Sequence, residues 1–346
     1  MNMKKIITGF TIEEFTEDIF LNNDEPAYRA KQIYQNAVSG NEPKDMSNIP
    51  KALREKLSSE YVSVGMRFIK KYEEKRTATT KYLLSTQDEI LIECVALIYE
   101  DKLTVCVSTQ AGCRMGCAFC ASGEGGLIRN LTAGEMISQL SAVSSDMGLS
   151  VHNVVLMGSG EPLDNYDEVK KFILLMTDER ALNIGKRHIT LSTCGIEPMI
   201  RKLADDGLGV NLSLSLHAAI PNIRSGIMPV QNAYPVEKVI EACNYYRQKT
   251  SRRITCEYCV IEGVNDTDEC AHALKKLIDK TDIAVNLIDY NKKDNYLNAN
   301  KGNCADEFAN KLKKLKNNCT IRRKLGSGIN AACGQLKSRY MAAEEE

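Results

Sequence analysis

Between residues 101 and about 290 the chain alternates strand-like and helix-like segments, and this alternation limits the fold more than any other feature. The strands are predicted by short apolar runs: LTVCVS, HNVVLMG, HITLST, VNLSLSL, RITCEYCVI and IAVNLI. Helical spacing of apolar residues predicts helices near 132–147, 165–178, 196–207, 236–249 and 267–280. Consecutive β/α units require a parallel sheet, either in a partial or full barrel or in an open doubly wound arrangement.

Three cysteines with the spacing C-x3-C-x2-C follow the first predicted strand of this run: Cys113, Cys117 and Cys120. Three thiolates on one glycine-containing loop can hold an iron–sulfur cluster and leave one iron open for a small molecule. Zinc is the alternative, but it needs a fourth thiolate or imidazole, and none is close in the sequence. We therefore expect a cluster at the carboxyl ends of the strands, where barrel active sites lie.

Other unusual residues also fall at the carboxyl ends of the predicted strands. The second strand ends in GSGEP (158–162), the third in Ser192 and Thr193, and the fourth in Ser215 and His217. Glycines let a ligand approach the backbone, and a glutamate there can accept a hydrogen bond from an ammonium group. Taken alone, GSGEP is equally compatible with a plain tight turn.

Smaller units flank the β/α run. Residues 1–62 predict short helices, and residues 63–100 predict an antiparallel β extension, because TTKYLLS, EILIECVAL and KLTVCVST are separated by short polar turns. That pairing places Glu93 and Cys106 on neighbouring strands. The β/α barrel region is expected at 101–295.

The C-terminal unit, residues 296–346, predicts a basic helix, a short strand near CTIRR and a glycine-rich loop, GSGINAACGQL. This loop carries Cys333, which is neither in an apolar strand nor spaced for a metal. We expect Cys333 to reach back to the mouth of the barrel.

Thirteen cysteines are a high count for 346 residues. The N-terminal segment lacks an apolar signal-peptide core, and no run of 18 apolar residues occurs, so we expect a cytoplasmic protein without structural disulfides. Several cysteines lie in strand- or helix-like contexts without ligand spacing, and we expect them to pack as small apolar side chains. They are Cys94, Cys194, Cys243, Cys256, Cys259, Cys270, Cys304 and Cys319. The formal net charge of zero excludes a protein that is basic overall, but not a local basic face.

Together these motifs resemble the RlmN/Cfr family of radical S-adenosylmethionine (SAM) RNA adenine methyltransferases, over nearly the whole chain. The matching segments are EPAYRAKQIY, MSNIPKALREKL, CVSTQAGCRMGCAFCASGEGGLIRNLTAGE, VVLMGSGEPLDN, RHITLSTCGI, LSLHA, IMPV, GVND, NLIDYN and IRRKLGSGINAACGQL. The resemblance implies an α/β fold: a partial (β/α)6 radical-SAM barrel with a small N-terminal helical module and a short antiparallel β extension. It also implies a [4Fe–4S] cluster held by Cys113, Cys117 and Cys120, with SAM on the fourth iron.

The resemblance further implies roles for individual residues. The positions that match SAM contacts are Gly160, Glu161, Ser192, Ser215, Leu216, His217 and Asn291. Cys333 matches the cysteine that becomes methylated, Cys106 its resolving partner and Glu93 the general base. In the family mechanism one SAM methylates Cys333, and a second is cleaved to a radical that activates this methyl group for addition to adenine. Glu93 then removes a proton, and the Cys106 thiolate attacks the sulfur of Cys333 to release the product.

The chain departs from the family pattern in three places. NLIDYNKK stands where a proline-containing run is more common, although Asn291 is retained; Ser159 replaces a residue that is commonly methionine; and LIECVAL around Glu93 is a looser match.

The RlmN and Cfr branches methylate carbon 2 or carbon 8 of the same adenine in 23S rRNA. The segments LSLHA, CASGEGGLIRNLTAGE and LNIGKRHITLSTCG favour the RlmN branch and carbon 2. RlmN-type enzymes can also modify an adenine next to the tRNA anticodon. The resemblance implies a one-electron reductant such as flavodoxin or ferredoxin, and we expect a monomer.

Two other classes of protein remain as alternatives. A radical enzyme that acts on a protein or small molecule needs neither Cys106 nor Cys333, and an inactive RNA-binding relative would have lost cluster ligands. The presence of all these cysteines argues against both.

Overall fold

The computed structural model describes residues 3–23, 25–279, 281–291, 303–322 and 325–340. Its N-terminal part is a small helical module with its own apolar core. The elements are β1 (Lys5–Ile6), α1 (Ile12–Asn23), α2 (Ala27–Val38), α3 (Lys51–Glu60) and β2 (Tyr61–Val62). Strands β1 and β2 pair in parallel, and the rings of Phe15, Tyr34 and Tyr61 pack together at the centre of this core.

An antiparallel extension follows, made of β3 (Met66–Glu74), β4 (Thr79–Thr86), β5 (Ile90–Tyr99) and β6 (Lys102–Cys106). The sequence patterns predict β4, β5 and β6 but not β3. Strand β3, with the sequence MRFIKKYEE, lies at the edge of the sheet, where charged side chains can face solvent. It therefore lacks the apolar alternation that identifies a half-buried strand.

The three-cysteine segment lies within a short hairpin of β7 (Gln110–Gly112) and β8 (Leu127–Asn130). Gly112 has a φ of +75°, and a Cβ atom at this position would lie 2.0 Å from the carbonyl oxygen of Gly126. Only glycine fits this close approach, which brings the start of the cysteine loop against its end.

The barrel region continues with alternating helices and strands. They are α4 (Ala133–Met147), β9 (Val151–Leu156), α5 (Tyr166–Thr177), β10 (Ile189–Thr193), α6 (Glu197–Asp205), β11 (Asn211–Ser215), α7 (Pro221–Ile227), α8 (Val236–Thr250), β12 (Ile254–Val260), α9 (Asp268–Ile278) and β13 (Ala284–Asp289). Helix α4 begins with a capping box in which Thr132 and Glu135 exchange hydrogen bonds. The C-terminal elements are α10 (Cys304–Lys314), β14 (Cys319–Ile321) and β15 (Arg339–Tyr340).

One sheet of eleven strands joins the extension to the barrel in the order β14-β13-β12-β11-β10-β9-β6-β5-β4-β3, with β15 paired to β5. Pairing is parallel from β6 through β14 and antiparallel between β3 and β6. The predicted partial (β/α)6 barrel with its antiparallel extension is confirmed. Among the described residues, no helix is long and apolar enough to cross a membrane.

Candidate active site

The three cysteines of the C-x3-C-x2-C loop line one cavity at the carboxyl ends of the barrel strands. All three residues are half-buried, and none of the three is in a disulfide. Burial raises the pKa of Cys113 to about 12, and it also raises that of Cys117, which the neighbouring Cys120 and Cys113 raise further. Cys113, Cys117 and Cys120 therefore lie near one another in a site where thiolates need a bound cation to persist.

The spacing of these thiols suits a cluster better than a single ion. Among the residues that the structure describes, no three His, Cys, Asp or Glu side chains converge closely enough to hold one metal ion. A zinc ion draws its sulfur ligands to about 2.3 Å from one centre, whereas an iron–sulfur cube separates its thiolates by the width of the cluster. Three thiols on one loop fit a [4Fe–4S] cluster that leaves one iron open for a small molecule.

Backbone hydrogen bonds anchor the cysteine loop to three other parts of the chain. The N–H of Cys113 donates to the carbonyl of Gly126 at 3.0 Å, and that of Ala118 donates to the carbonyl of Ile227 at 2.9 Å. The N–H of Ala121 donates to the carbonyl of Gly334 at 2.7 Å. The last bond ties the cluster loop to the loop that carries Cys333.

The opposite wall of the cavity is built from the ends of the barrel strands. The structure places several predicted SAM contacts there: Gly160, Glu161, Ser192, Ser215, His217 and Asn291. Gly160 has a φ of +104°, and a Cβ there would lie 2.6 Å from the Cβ of Gln110, so a side chain would not fit. The hydroxyls of Ser192 and Ser215 lie 3.4 Å apart.

Glu161 is a buried carboxylate that holds two strand ends in place. Its Oε1 accepts from the N–H of Leu163 at 3.0 Å, and its Oε2 accepts from the N–H of Cys194 at 2.8 Å. Burial raises its pKa, against the effect of these hydrogen bonds. Glu161 thus keeps acceptor capacity toward the cavity while its orientation is fixed.

His217 has a strained backbone and a neutral ring. Its φ is +56°, a left-handed conformation that is uncommon for a non-glycine residue and is concentrated at functional sites. Its Nδ1 accepts from the N–H of Cys259 at 2.9 Å. Burial, with the charge on Arg224, lowers the pKa of His217 to about 3. The ring is therefore uncharged, and it packs against the ring of Phe119 with 4.6 Å between centroids.

Leu216 is the one predicted SAM contact whose side chain is packed in the main apolar core, fully buried behind the cavity wall. Its carbonyl accepts from Nε of Arg224. Asn291 instead faces the cavity, and its Nδ2 donates to the carbonyl of Cys333 at 3.4 Å. Asn291 therefore links the predicted SAM wall to the C-terminal loop.

Cys106 and Cys333 line a second cavity that adjoins the first, and Cys333 lines both. The pKa of Cys106 is raised to about 12, chiefly by burial and to a smaller extent by the nearby Cys333. Crowding by protein atoms also raises the pKa of Cys333, although the residue is accessible to solvent through the cavity, while Arg322 acts in the opposite direction. Both thiols are free, so the two cysteines share a space without being bonded.

Glu93 lies beside the second cavity, on β5. Val95, two residues along the same strand, lines the cavity directly opposite Cys106 on β6. Glu93 is buried, and Lys81 contacts its Oε1 at 2.9 Å. Its Oε2 accepts from the N–H of Lys337 at 2.8 Å. Both carboxylate oxygens are therefore engaged in this conformation.

Sequence reasoning missed two charged residues that line the first cavity, Glu257 on β12 and Arg322 after β14. Nη1 of Arg322 lies 3.3 Å from Oε2 of Glu257, and Oε1 of Glu257 accepts from Ser213 at 3.1 Å and Asn286 at 3.0 Å. One sequence feature points to Glu257: it is the only charged residue within the apolar run ITCEYCV. Cys194 and Cys259, predicted to pack, are buried but also line this cavity.

Comparisons with known proteins agree with this geometry. Residues 107–277 match the model of the Radical SAM superfamily, whose members use a [4Fe–4S] cluster and SAM. A probable dual-specificity RNA methyltransferase RlmN of Clostridium novyi is 46% identical over 342 residues, which cover 97% of this chain and 99% of that relative. The protein of the same name from Lachnoclostridium phytofermentans is 44% identical over 337 residues, which cover 96% of this chain and 94% of that relative.

A solved structure extends the likeness to three dimensions. The radical SAM methyltransferase from Sphaerobacter thermophilus has a TM-score of 0.90 and 36% identity, and the match covers 96% of this chain and 99% of that one. Relatives this similar over almost the full length identify the family, and with it the radical use of SAM to methylate RNA. The chain belongs to the RlmN family of radical SAM RNA methyltransferases.

Proposed function

We propose that this enzyme methylates carbon 2 of an adenine in 23S rRNA through a methyl group carried on Cys333, with the adenine next to the tRNA anticodon as a second substrate. The observation that carries the proposal is the shared cavity of Cys106 and Cys333, which adjoins the cavity of the three cluster cysteines. The name of its relatives, dual-specificity RNA methyltransferase, supports two RNA substrates.

Carbon 2 of adenine is neither nucleophilic nor acidic, so direct methyl transfer from SAM does not reach it. When held by Cys113, Cys117 and Cys120, the cluster supplies the electron that cleaves SAM and so activates the methyl group on Cys333. We infer that two SAM molecules are consumed per turnover, one to methylate Cys333 and one to activate that methyl group. A one-electron donor such as flavodoxin or ferredoxin supplies the electron, and the enzyme acts as a monomer.

The cavity walls orient SAM in this proposal. Backbone groups at Gly160 and the carboxylate of Glu161 receive its ammonium group, and Ser192, Ser215 and Asn291 offer polar contacts. His217 contributes an uncharged ring beside Phe119, which suits a flat, neutral part of the ligand. Leu216 acts only by positioning its neighbours Ser215 and His217, because its side chain is packed in the core and its N–H and carbonyl are bonded to Glu257 and Arg224.

Cys333 is placed to pass its methyl carbon from one cavity to the other, because it lines both. Once this carbon is bonded to adenine, Glu93 removes the proton from carbon 2. The Cys106 thiolate then attacks the sulfur of Cys333, an S–S bond forms, and the bond between that sulfur and the methyl carbon breaks. The carbon stays with the RNA and takes up a proton, and the one electron left over from the radical addition passes to a one-electron acceptor such as oxidised flavodoxin or ferredoxin.

Glu93 has to exchange one of its present partners before it can take this proton. Lys81 occupies one oxygen, and the N–H of Lys337 occupies the other. Lys337 follows Cys333 by four residues in the same loop, so movement of this loop on RNA binding would free the carboxylate.

The experiment that tests the proposal is mass spectrometry of nucleosides from 23S rRNA and tRNA treated with the anaerobically reconstituted enzyme, SAM and a reductant. We expect 2-methyladenosine in both RNAs and none with the Cys333→Ala variant. Formation of 8-methyladenosine would contradict the carbon-2 assignment and indicate Cfr-type chemistry. Methylation of 23S rRNA alone would contradict the second substrate.

A further inference from the structure

Arg224 is a fully buried cation whose hydrogen-bond partners are all uncharged. Its side chain is 0% exposed. Nε donates to the carbonyl of Leu216 at 3.1 Å, Nη1 to Oε1 of Gln231 at 3.0 Å, and Nη2 to the carbonyl of Cys194 at 2.7 Å. All of these acceptors are uncharged, and no carboxylate in the described part of the chain lies within 4.0 Å of the guanidinium. A buried charge without a partner is strongly unfavourable.

The cation lies directly behind the wall of the cluster cavity. Arg224 belongs to α7, and the carbonyl of Ile227 in the same helix accepts from Ala118 in the cluster loop. The Cys194 residue that receives Nη2 lines the cavity. The charge on Arg224 also reaches His217 of the cavity wall, where it adds to burial in lowering the pKa of the ring.

Other nearby groups do not supply the missing negative charge. Burial raises the pKa of Cys194 and Cys256 well above the usual thiol range, so both are neutral at pH 7. Glu237 acts on Arg224 only weakly and is not among its hydrogen-bond partners. Among the groups that act on Arg224 this leaves Cys117, which carries a negative charge when it ligates iron.

We propose that Arg224 is the fixed counter-charge of the iron–sulfur cluster, raising its reduction potential and stabilising the iron-loaded protein. The inference rests on the proposed ligation by Cys113, Cys117 and Cys120. Reduction adds an electron to the cluster, and a cation in a low-dielectric site stabilises the more negative state more strongly. Arginine suits this position, because it cannot lose its proton and its planar group donates to three carbonyl oxygens at once.

The test is an anaerobic redox titration of the reconstituted full-length protein, followed by electron paramagnetic resonance. Arg224→Gln removes the charge, and Arg224→Lys keeps it. Gln231→Glu leaves the guanidinium in place but adds a carboxylate at the acceptor position 3.0 Å from Nη1. We expect Arg224→Gln and Gln231→Glu to lower the reduction potential, and Arg224→Lys to stay close to the wild type.

Two outcomes would overturn the inference: an unchanged potential in Gln231→Glu, or equal shifts in Arg224→Lys and Arg224→Gln. The second would indicate that Arg224 only ties the three carbonyl groups together.

A second measurement covers variants of Arg224 that fold poorly. The midpoint of thermal unfolding is compared between iron-loaded and iron-free protein for the wild type and Gln231→Glu. We expect a smaller difference in Gln231→Glu, because its iron-free form already contains a counter-charge, and an equal difference would contradict the inference. A wild type that binds no iron would instead refute the ligand set itself.

Discussion

Lys81 and Glu93 form an ion pair with 2.9 Å between Nζ and Oε1, and each side chain is only 9% exposed. The two residues lie on the adjacent strands β4 and β5. Nζ of Lys81 also lies 3.4 Å from the carbonyl of Asn330, and the second oxygen of Glu93 accepts from the N–H of Lys337. This pair therefore connects the β extension to the loop that carries Cys333.

Replacing Lys81 by Met should destabilise the fold, because it leaves Glu93 buried without its cation. Breaking a buried pair in this way costs about 3–5 kcal/mol. Lys71→Met is the matched control, since Lys71 pairs with Asp146 at the surface of the same extension, and such pairs contribute less than about 1 kcal/mol. Denaturant unfolding of both variants under anaerobic conditions measures the loss in free energy of unfolding. An equally small loss in Lys81→Met and Lys71→Met would contradict a buried ion pair between Lys81 and Glu93.

Glu74 fixes the start of the Cys333 loop. Its Oε2 accepts from the N–H of Gly326 at 3.1 Å, and its Oε1 accepts from the N–H of Gly328 at 3.0 Å. In Glu74→Gln one of the two carboxylate oxygens becomes an NH₂ group. This group cannot accept a hydrogen bond from the backbone N–H that it faces. We expect faster amide hydrogen exchange across residues 325–338.

The neighbouring Glu73→Gln serves as the control for this change, because Glu73 pairs with Lys71 and not with the loop. Its exchange pattern should match the wild type. Indistinguishable exchange in Glu74→Gln and Glu73→Gln would show that the loop is held without these hydrogen bonds.

The reactivity of Cys106 should depend steeply on pH. Its pKa is raised to about 12, chiefly by burial, so the thiol is neutral at pH 7. Below this pKa the thiolate fraction rises about tenfold for each pH unit. In the Cys333→Ala variant, alkylation of Cys106 by iodoacetamide should therefore keep increasing between pH 7 and pH 10, as followed by peptide mass spectrometry.

Urea-unfolded protein provides the reference for this measurement, because an unperturbed thiol has a pKa of about 8.5 and its alkylation levels off near pH 9 to 10. A plateau at the same pH in the folded protein would show that burial does not protect Cys106.

The cluster cysteines can be separated from other cysteines of the same cavity. Reconstituted wild type should bind about four irons and be brown, and Cys117→Ala should lose both properties. Cys194→Ala is the control, because Cys194 also lines the cavity but lies outside the cysteine loop. Equal loss of iron in both variants would argue against the proposed ligand set.

The sequence patterns predict much of the fold, because β9–β13 and α4–α6 are apolar segments with clear periods. They also predict the cluster loop, since the spacing of Cys113, Cys117 and Cys120 is local. Strand β3 is not predicted, because an edge strand does not need apolar alternation.

The contact of Glu93 with Lys337 is not predictable either, because Lys337 lies 244 residues away in the sequence. The environment of Arg224 is also not predictable from the sequence. An arginine in IRSGIMPV is ordinary in sequence, and only its complete burial among uncharged acceptors distinguishes it.

Whether the methyl carbon reaches RNA through Cys333 can be tested with the Cys106→Ala variant. This variant is incubated anaerobically with 23S rRNA, SAM and a reductant, then digested and analysed by mass spectrometry. We predict a covalent RNA–protein adduct on the peptide that contains Cys333, absent from Cys333→Ala and not accumulated by the wild type. Free methylated RNA from Cys106→Ala at the wild-type rate, without any adduct, would show that the methyl carbon does not pass through Cys333.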